Sequence, residues 1–438
     1  FDAGSKIPSG IFTGNFVDLG FFEECVDTYD NATTAIISGK YCIGLMHFTN
    51  LHESSRLQLP QSPRSLLEAG VGLPSATCLP SACSTDDIEK IYEIFDIPSN
   101  FDEVLCQTKA SQAKLDNGDI AMISFFVIVL GIMLCSTIYD VIITYLQKKP
   151  INPLFLAFSI LTNGRKLIET TNNPNQISCI HGIRVLSMMW ILIGHKYVIA
   201  TNLPIRNYLY LSEFIEEPAN MLIFNKFLAV DTFLVVGGIV LVYTFMGSME
   251  NKTKFNIISY YIHRYLRLTP LVAVVIGIYV TILKHFGSGP IWPNMVDILA
   301  NPCKDYWYLA LLYVQNFFLV GSEMCMVQAW YLSVDFQLIL ISPILLLPLK
   351  RWPRITLVVM GILAVCSSIA AFLSSWFLEI TMNMFLDTDK YNDYKRYFYY
   401  APWIRGSSWL IGLIVGYVIF KVKRKQFQFA VNKVSWIF

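Results

Sequence analysis

The chain has 438 residues, 54% hydrophobic and only 15% charged, whereas an ordinary soluble domain carries about 25% charged residues; with a mean hydropathy of +0.49 it does not read as a soluble enzyme. The formal net charge of +1 conceals an asymmetry: residues 1–118 hold 7 Lys and Arg against 16 Asp and Glu, and the remainder 26 against 16. The basic residues lie between apolar runs and not along one soluble face, which argues against nucleic acid as a partner.

The acidic first quarter contains Cys25, Cys42, Cys78, Cys83 and Cys106, five of the ten cysteines, a density expected of secreted, disulfide-stapled domains. No CxxC spacing occurs, so structural disulfides are expected and no metal. The odd count leaves two possibilities: a sixth partner removed by processing at the N-terminus, or one free thiol. Asn31-Ala32-Thr33 is a glycosylation sequon, which agrees with a lumenal or extracellular location. Ser84 with Asp87 forms a helix-start signal, and Ile88, Ile91, Tyr92 and Phe95 continue it at helical spacing. A small, mainly helical domain is expected over residues 1–118.

From Ile120 to Tyr139 no side chain is charged, long enough to cross a bilayer core of about 30 Å. This first span (119–147) ends at Lys148 and Lys149 and leads into a linker over 148–178. Further apolar stretches near 182–203, 221–247, 265–286, 329–349, 355–377 and 403–420 give seven candidate helices, and an eighth is expected to begin near Val431. With a lumenal N-terminus, alternation places 16 Lys and Arg on the cytosolic side and 6 on the other, as the positive-inside rule requires; the 148–178 linker is then cytosolic. The sequon Asn251-Lys252-Thr253 falls on the cytosolic side and should remain unmodified. Cys303 and Cys325 fall on the lumenal side, where a disulfide is expected, and Tyr306–Val320 between them reads as a re-entrant or interfacial helix. The expected class is a mainly α, polytopic membrane protein with a small disulfide-stapled helical lumenal domain, in the plasma membrane or endoplasmic reticulum.

Ionisable side chains inside a span are costly unless paired or facing a cavity, so each is a functional candidate. Arg184 and His195 are eleven residues apart, within about 20° of three full turns, and therefore share a helix face about 16 Å apart. Asp231 lies near the midplane of the third span and Asp335 in the first half of the fifth, where either could orient His195 as a general base. Arg264 and Arg267, at i and i+3, open the fourth span on one face. Together with Arg184 they form a basic mouth suited to phosphate, either of an anionic cofactor or of lipid headgroups.

These residues resemble a known pattern. Arg184, ten residues, then His195 is similar to the R-X10-H signature of the membrane acyltransferase-3 family. Val230 to Gly238, Arg264 to Pro270 and Trp330 to Asp335 resemble that family's V-D-x-F-F-V-L-S-G, R-x-x-R-[IL]-x-P and W-S-L-x-x-E segments. Asp2 to Gly10, Cys78-Leu79-Pro80-Ser81-Ala82-Cys83 and Cys179 to Arg184 resemble the animal nose-resistant-to-fluoxetine family, an extracellular cysteine-bearing domain fused to an acyltransferase-3 membrane domain (179–438 here) and linked to transport of lipids and hydrophobic compounds. Two positions depart from the bacterial-type pattern: Gly237 replaces Ser, and Asp335 replaces Glu.

The resemblance implies about ten membrane helices, so a C-terminal portion is expected beyond residue 438. It also implies transfer of an acyl group from cytosolic acyl-CoA, as co-substrate, to a hydroxyl acceptor such as a lipid. In that scheme Arg184, Arg264 and Arg267 hold the donor, His195 is the base, and Asp335 or Asp231 orients it. The rival implication is a carrier or binding protein for membrane lipids or another hydrophobic cargo that uses the same cavity without chemistry.

Overall fold

The computed structural model describes residues 2–6, 9–10, 13–30, 37–46, 73–169, 177–250 without 202, 204 and 208, 255–380 and 388–424. Asn31, the sequon at Asn251 and the segment around Val431 lie outside them.

The N-terminal domain differs from the helical expectation. Its frame is an antiparallel sheet of β1 (Tyr29–Asp30), β2 (Ile37–Met46), β3 (Leu73–Pro80) and β4 (Ser99–Thr108), with only two short helices, α1 (Phe22–Asp27) and α2 (Thr85–Glu93). β2 is central, pairing Lys40 with Leu79 on one side and with Thr108 on the other. Its residues Gly39 to Cys42 are all buried, so the strand lacks the in-out alternation that marks a half-exposed strand. The one local signal, Ser84 with Asp87, does form a reciprocal capping box at the start of α2, but it describes a minor element. Disulfides Cys25–Cys78 and Cys42–Cys106 tie α1 to β3 and β2 to β4, leaving Cys83 as a free, half-buried thiol. They span 53 and 64 residues, worth about 4 kcal/mol each in the chain-entropy model, which matters where the apolar clusters are small.

The remainder is helical, and seven helices are long and apolar enough to span a membrane: α3 (Asn117–Tyr145), α5 (Cys179–Thr201), α6 (Phe227–Glu250), α7 (Ile257–Val280), α9 (Trp330–Arg351), α10 (Pro353–Phe377) and α11 (Pro402–Lys423). The chain is thus a multi-pass integral membrane protein. Shorter helices lie between them, among them α4 (Ile160–Ile168) and α8 (Trp292–Leu311). α9 is the central helix, 61% buried over its most apolar window against 6% for α3. The main core joins α6, α9, α10 and α11 through residues such as Leu234, Val334, Leu346, Met360, Leu413 and Phe420.

α6 and α11 approach to backbone contact because small residues line the seam. A Cβ at Gly412 would fall 2.2 Å from Val235 O, one at Gly416 2.7 Å from Ile239 O, and one at Gly238 2.5 Å from Trp409 O. The segment between α7 and α9 does not form the single re-entrant helix expected over 306–320. α8 kinks at Tyr306 and ends at Leu311; Tyr313 is left-handed (φ 58°), and one helical turn, Gln315–Phe318, follows. The Cys303–Cys325 disulfide closes this excursion.

The N-terminal domain is clasped to the membrane part where α3 begins. Asp116 and Asp119 form the capping box of α3. Lys284, in the turn after α7, donates to Asp116 and lies 3.0 Å from Asp119, while His285 Nε2 is 3.0 Å from Asp119. Gln107 of β4 donates to Pro290 O at 2.9 Å.

Candidate functional site

Three of the four polar segments converge on Asp335. This residue, 7% exposed, sits in the second turn of α9 and accepts a hydrogen bond from Arg264 Nη2 of α7. α7 and α9 run antiparallel here: Tyr260 Oη lies 2.9 Å from Ser342 Oγ and Tyr261 Oη donates to Leu340 O at 2.7 Å, which fixes the register that brings Arg264 to Asp335. Gly237 of α6 faces the same carboxylate; a Cβ there would lie 3.9 Å from Asp335 Oδ1 with no closer contact. Arg184, of the fourth segment, makes no hydrogen bond or ion pair with this cluster among the described residues. Arg264 Nε is buried without a partner among the described residues, so the guanidinium keeps donors, Nε–H among them, that the ion pair does not use.

Asp231 is placed elsewhere. In the second turn of α6, its two oxygens lie 3.1 and 2.9 Å from Arg405 Nη1 of α11, and Ser408 Oγ donates to it at 3.2 Å. Arg405 Nε donates to Tyr399 O at 3.0 Å, and the guanidinium packs over the rings of Tyr399 and Trp330, 4.7 and 5.9 Å from their centroids. The cation is thus paired, hydrogen-bonded and covered by aromatic faces, which makes a buried charge tolerable.

His195 meets neither carboxylate; among the described residues both are engaged by arginines. The imidazole lies on an exposed face of α5, next in sequence to Gly194, whose carbonyl Lys226 reaches. Lys226 is 5% exposed and its Nζ donates to Gly194 O at 3.3 Å. The absence of a side chain at Gly194 creates this seat, since a Cβ there would come within 2.6 Å of Lys226 Cδ. Trp190 Nε1 donates to Leu222 O at 2.6 Å, holding the short helix Met221–Phe224 against α5 one turn below. Arg184 is half-buried and Arg267 exposed; neither has an ion-pair partner among the described residues.

Sequence reasoning missed Lys226 and Arg405. Both lie within or beside apolar runs read as spans, 221–247 and 403–420, so the rule that singled out Asp231 and Asp335 applies to them equally.

Residues 177–438 match the family model described as "Acyltransferase domain", of acyltransferase-3 type, and residues 1–92 match "Nose resistant-to-fluoxetine protein, N-terminal domain". The chain is 26% identical over 482 aligned residues to "Nose resistant to fluoxetine protein 6" of Caenorhabditis elegans, covering 96% of this chain and 58% of that protein. It is 23% identical over 287 residues to "Regulator of hypoxia-inducible factor 1" of the same organism, covering 60% of this chain and 55% of that one. The chain therefore spans a little over half the length of these relatives. No solved structure matches it. With the acyltransferase domain covering more than half of the chain, and Arg264, Asp335, Asp231, Arg405, His195 and Lys226 all falling within it, the chain belongs to the acyltransferase-3 family, with a nose-resistant-to-fluoxetine domain at its N-terminal end.

Proposed function

We propose that this protein is a membrane O-acyltransferase that takes an acyl group from acyl-CoA and delivers it to the hydroxyl of a lipid or other hydrophobic acceptor. The observation that carries this reading is the meeting of Arg264, Asp335 and Gly237, drawn from three separate segments of the acyltransferase domain, inside the helix bundle. Such a convergence of charge inside a span is costly and is retained at functional sites.

His195 takes the acceptor's proton, the acceptor oxygen attacks the thioester carbonyl, the C–S bond breaks, and the departing CoA sulfur recovers the proton from the imidazolium. Lys226, whose Nζ reaches the carbonyl of Gly194 next to His195, has three donors, only one of them used there, and stabilises the oxyanion. Arg184 and Arg267, unpaired among the described residues, take the donor's phosphates. Arg264 is committed through Nη2 to Asp335, with its Nε–H unused among the described residues. The pair Arg264 and Asp335 therefore fixes the wall of the site and does not orient His195. Alternation of the spans together with the basic residues supports an N-terminal domain outside the cytosol and a donor entering from the cytosol.

The test is transfer of labelled acyl groups from acyl-CoA to a hydroxyl acceptor by the purified chain in liposomes. His195→Ala should leave a folded protein with transfer reduced by about 10² to 10⁴; turnover equal to the unmutated chain would overturn the assignment. A second reading, a carrier of lipids or hydrophobic compounds without chemistry, is favoured by the lack of any carboxylate on His195 among the described residues. It predicts acyl-CoA-independent movement of cargo that survives His195→Ala.

A further inference from the structure

The stretch after α3, expected as a linker, folds over its described part into a foot that turns back along α3. Ser136 Oγ donates to Phe155 O at 2.6 Å, Ile151 N donates to Tyr139 Oη at 3.0 Å, and Ile160 N donates to Thr137 Oγ1 at 3.1 Å. Asp140, 4% exposed, accepts from Ser159 Oγ at 2.5 Å and from Thr162 Oγ1 at 2.6 Å. Ser136 and Asp140 precede the end of α3 at Tyr145 by about 13 and 7 Å of helix. Residues 151–162 are thus held beside the last turns of the span, where its uncharged run ends.

The apolar side of this foot looks away from the protein. At 100° per residue, Ile160, Leu161, Leu167 and Ile168 occupy an arc of about 120°, and Thr162, which binds α3, lies almost opposite its centre. Leu154, Leu167 and Ile168 are 74%, 87% and 78% exposed. Arg165 lies about 40° beyond one edge of the arc, Lys166 is exposed on the side of Thr162, and Lys148 and Lys149 stand at the turn. Between Val141 and Ile168 there is no Asp or Glu.

We infer that residues 148–168 form an interfacial foot that inserts its apolar face at the boundary of the hydrocarbon and binds anionic phospholipid headgroups through Lys148, Lys149, Arg165 and Lys166. An outward apolar arc with Arg165 at its edge and further exposed cations beside it, tied at that depth to a spanning helix, is the arrangement an in-plane amphipathic helix requires. The source of the anion is the bilayer and not a soluble phosphate, because the apolar arc and the cations must be satisfied together.

The full chain is reconstituted in phosphatidylcholine nanodiscs with and without phosphatidylserine, and the lipid retained after mild extraction is read by native mass spectrometry. The expected result is salt-sensitive enrichment of phosphatidylserine that falls at least about tenfold in the combined variant Lys148→Gln, Lys149→Gln, Arg165→Gln, Lys166→Gln. All four side chains are exposed, so the fold should persist, and unchanged hydrogen-exchange protection of α9 checks it. A photo-reactive group introduced at Ile168 should attach to lipid. Equal phosphatidylserine retention in the combined variant would overturn the inference, as would attachment from position 168 to a second copy of the chain or another protein, or displacement of phosphatidylserine by inorganic phosphate beyond that by chloride at the same ionic strength.

Discussion

Arg405 Nη1 lies 3.1 and 2.9 Å from the two carboxylate oxygens of Asp231 and joins helices 174 residues apart in sequence. The arginine side chain is 8% exposed and the aspartate 29%. Removing one partner from such a pair leaves a poorly solvated charge, at a cost of about 3–5 kcal/mol. Arg405→Met should therefore lower the unfolding temperature in detergent sharply, and the combined change Arg405→Met with Asp231→Asn should recover part of the loss. Full stability of Arg405→Met would show that the pair contributes nothing.

Adjacent glycines in α6 should respond oppositely to alanine. A Cβ at Gly238 runs into backbone, 2.5 Å from Trp409 O and 2.9 Å from Leu413 N, whereas at Gly237 its nearest contact is Asp335 Oδ1 at 3.9 Å. Gly238→Ala should destabilise by about 1–3 kcal/mol through overpacking. Gly237→Ala should be neutral or gain up to about 1 kcal/mol from helix propensity. Thermal unfolding of the two purified variants decides this, and equal losses would contradict the packing.

Gly237→Ser has a chemical consequence as well. Its hydroxyl would reach the Asp335 carboxylate and donate to it, competing with Arg264. If the Arg264–Asp335 pair serves as a wall of the acyl-transfer site, Gly237→Ser should keep transfer within about tenfold of the unmutated chain, whereas Asp335→Asn, which removes the pair's charge, should cost more. A reversed order in the liposome assay would assign Asp335 no role in the site.

The clasp at the start of α3 should depend on pH. Hydrogen bonding by Lys284 holds the Asp116 carboxyl below its ordinary range, aided by the backbone of Asp119, and Asp116 in turn raises the Lys284 ammonium. A depressed carboxyl contributes its stabilisation above the unfolded value and loses it as pH falls through the folded one; a raised amine loses its share as pH climbs through its own folded value. The turn at 282–285 should thus remain protected across neutral pH and open both below about pH 4 and above about pH 10. Hydrogen exchange of that turn against pH checks it, and Lys284→Met should abolish the alkaline limb.

Length, composition and the spacing of apolar runs were enough to read seven spans, because burial in a bilayer requires about 20 apolar residues in an unbroken run. Arg184 and His195 were legible for the same reason: the pitch of a helix fixes which face each residue occupies. The sheet of the N-terminal domain was not, since its central strand is buried on both sides and its disulfides join residues 53 and 64 apart. Nor could local spacing reveal which charge each buried carboxylate would meet. Depth in a span left Asp231 and Asp335 equally free to approach His195. The register of α7 on α9 gave Asp335 to Arg264, the glycine seam between α6 and α11 gave Asp231 to Arg405, and the missing side chain at Gly194 gave His195 the ammonium of Lys226 as its neighbour. Partner choice in a low-dielectric interior is set by which helices pack at which height, and that is a property of the assembled bundle.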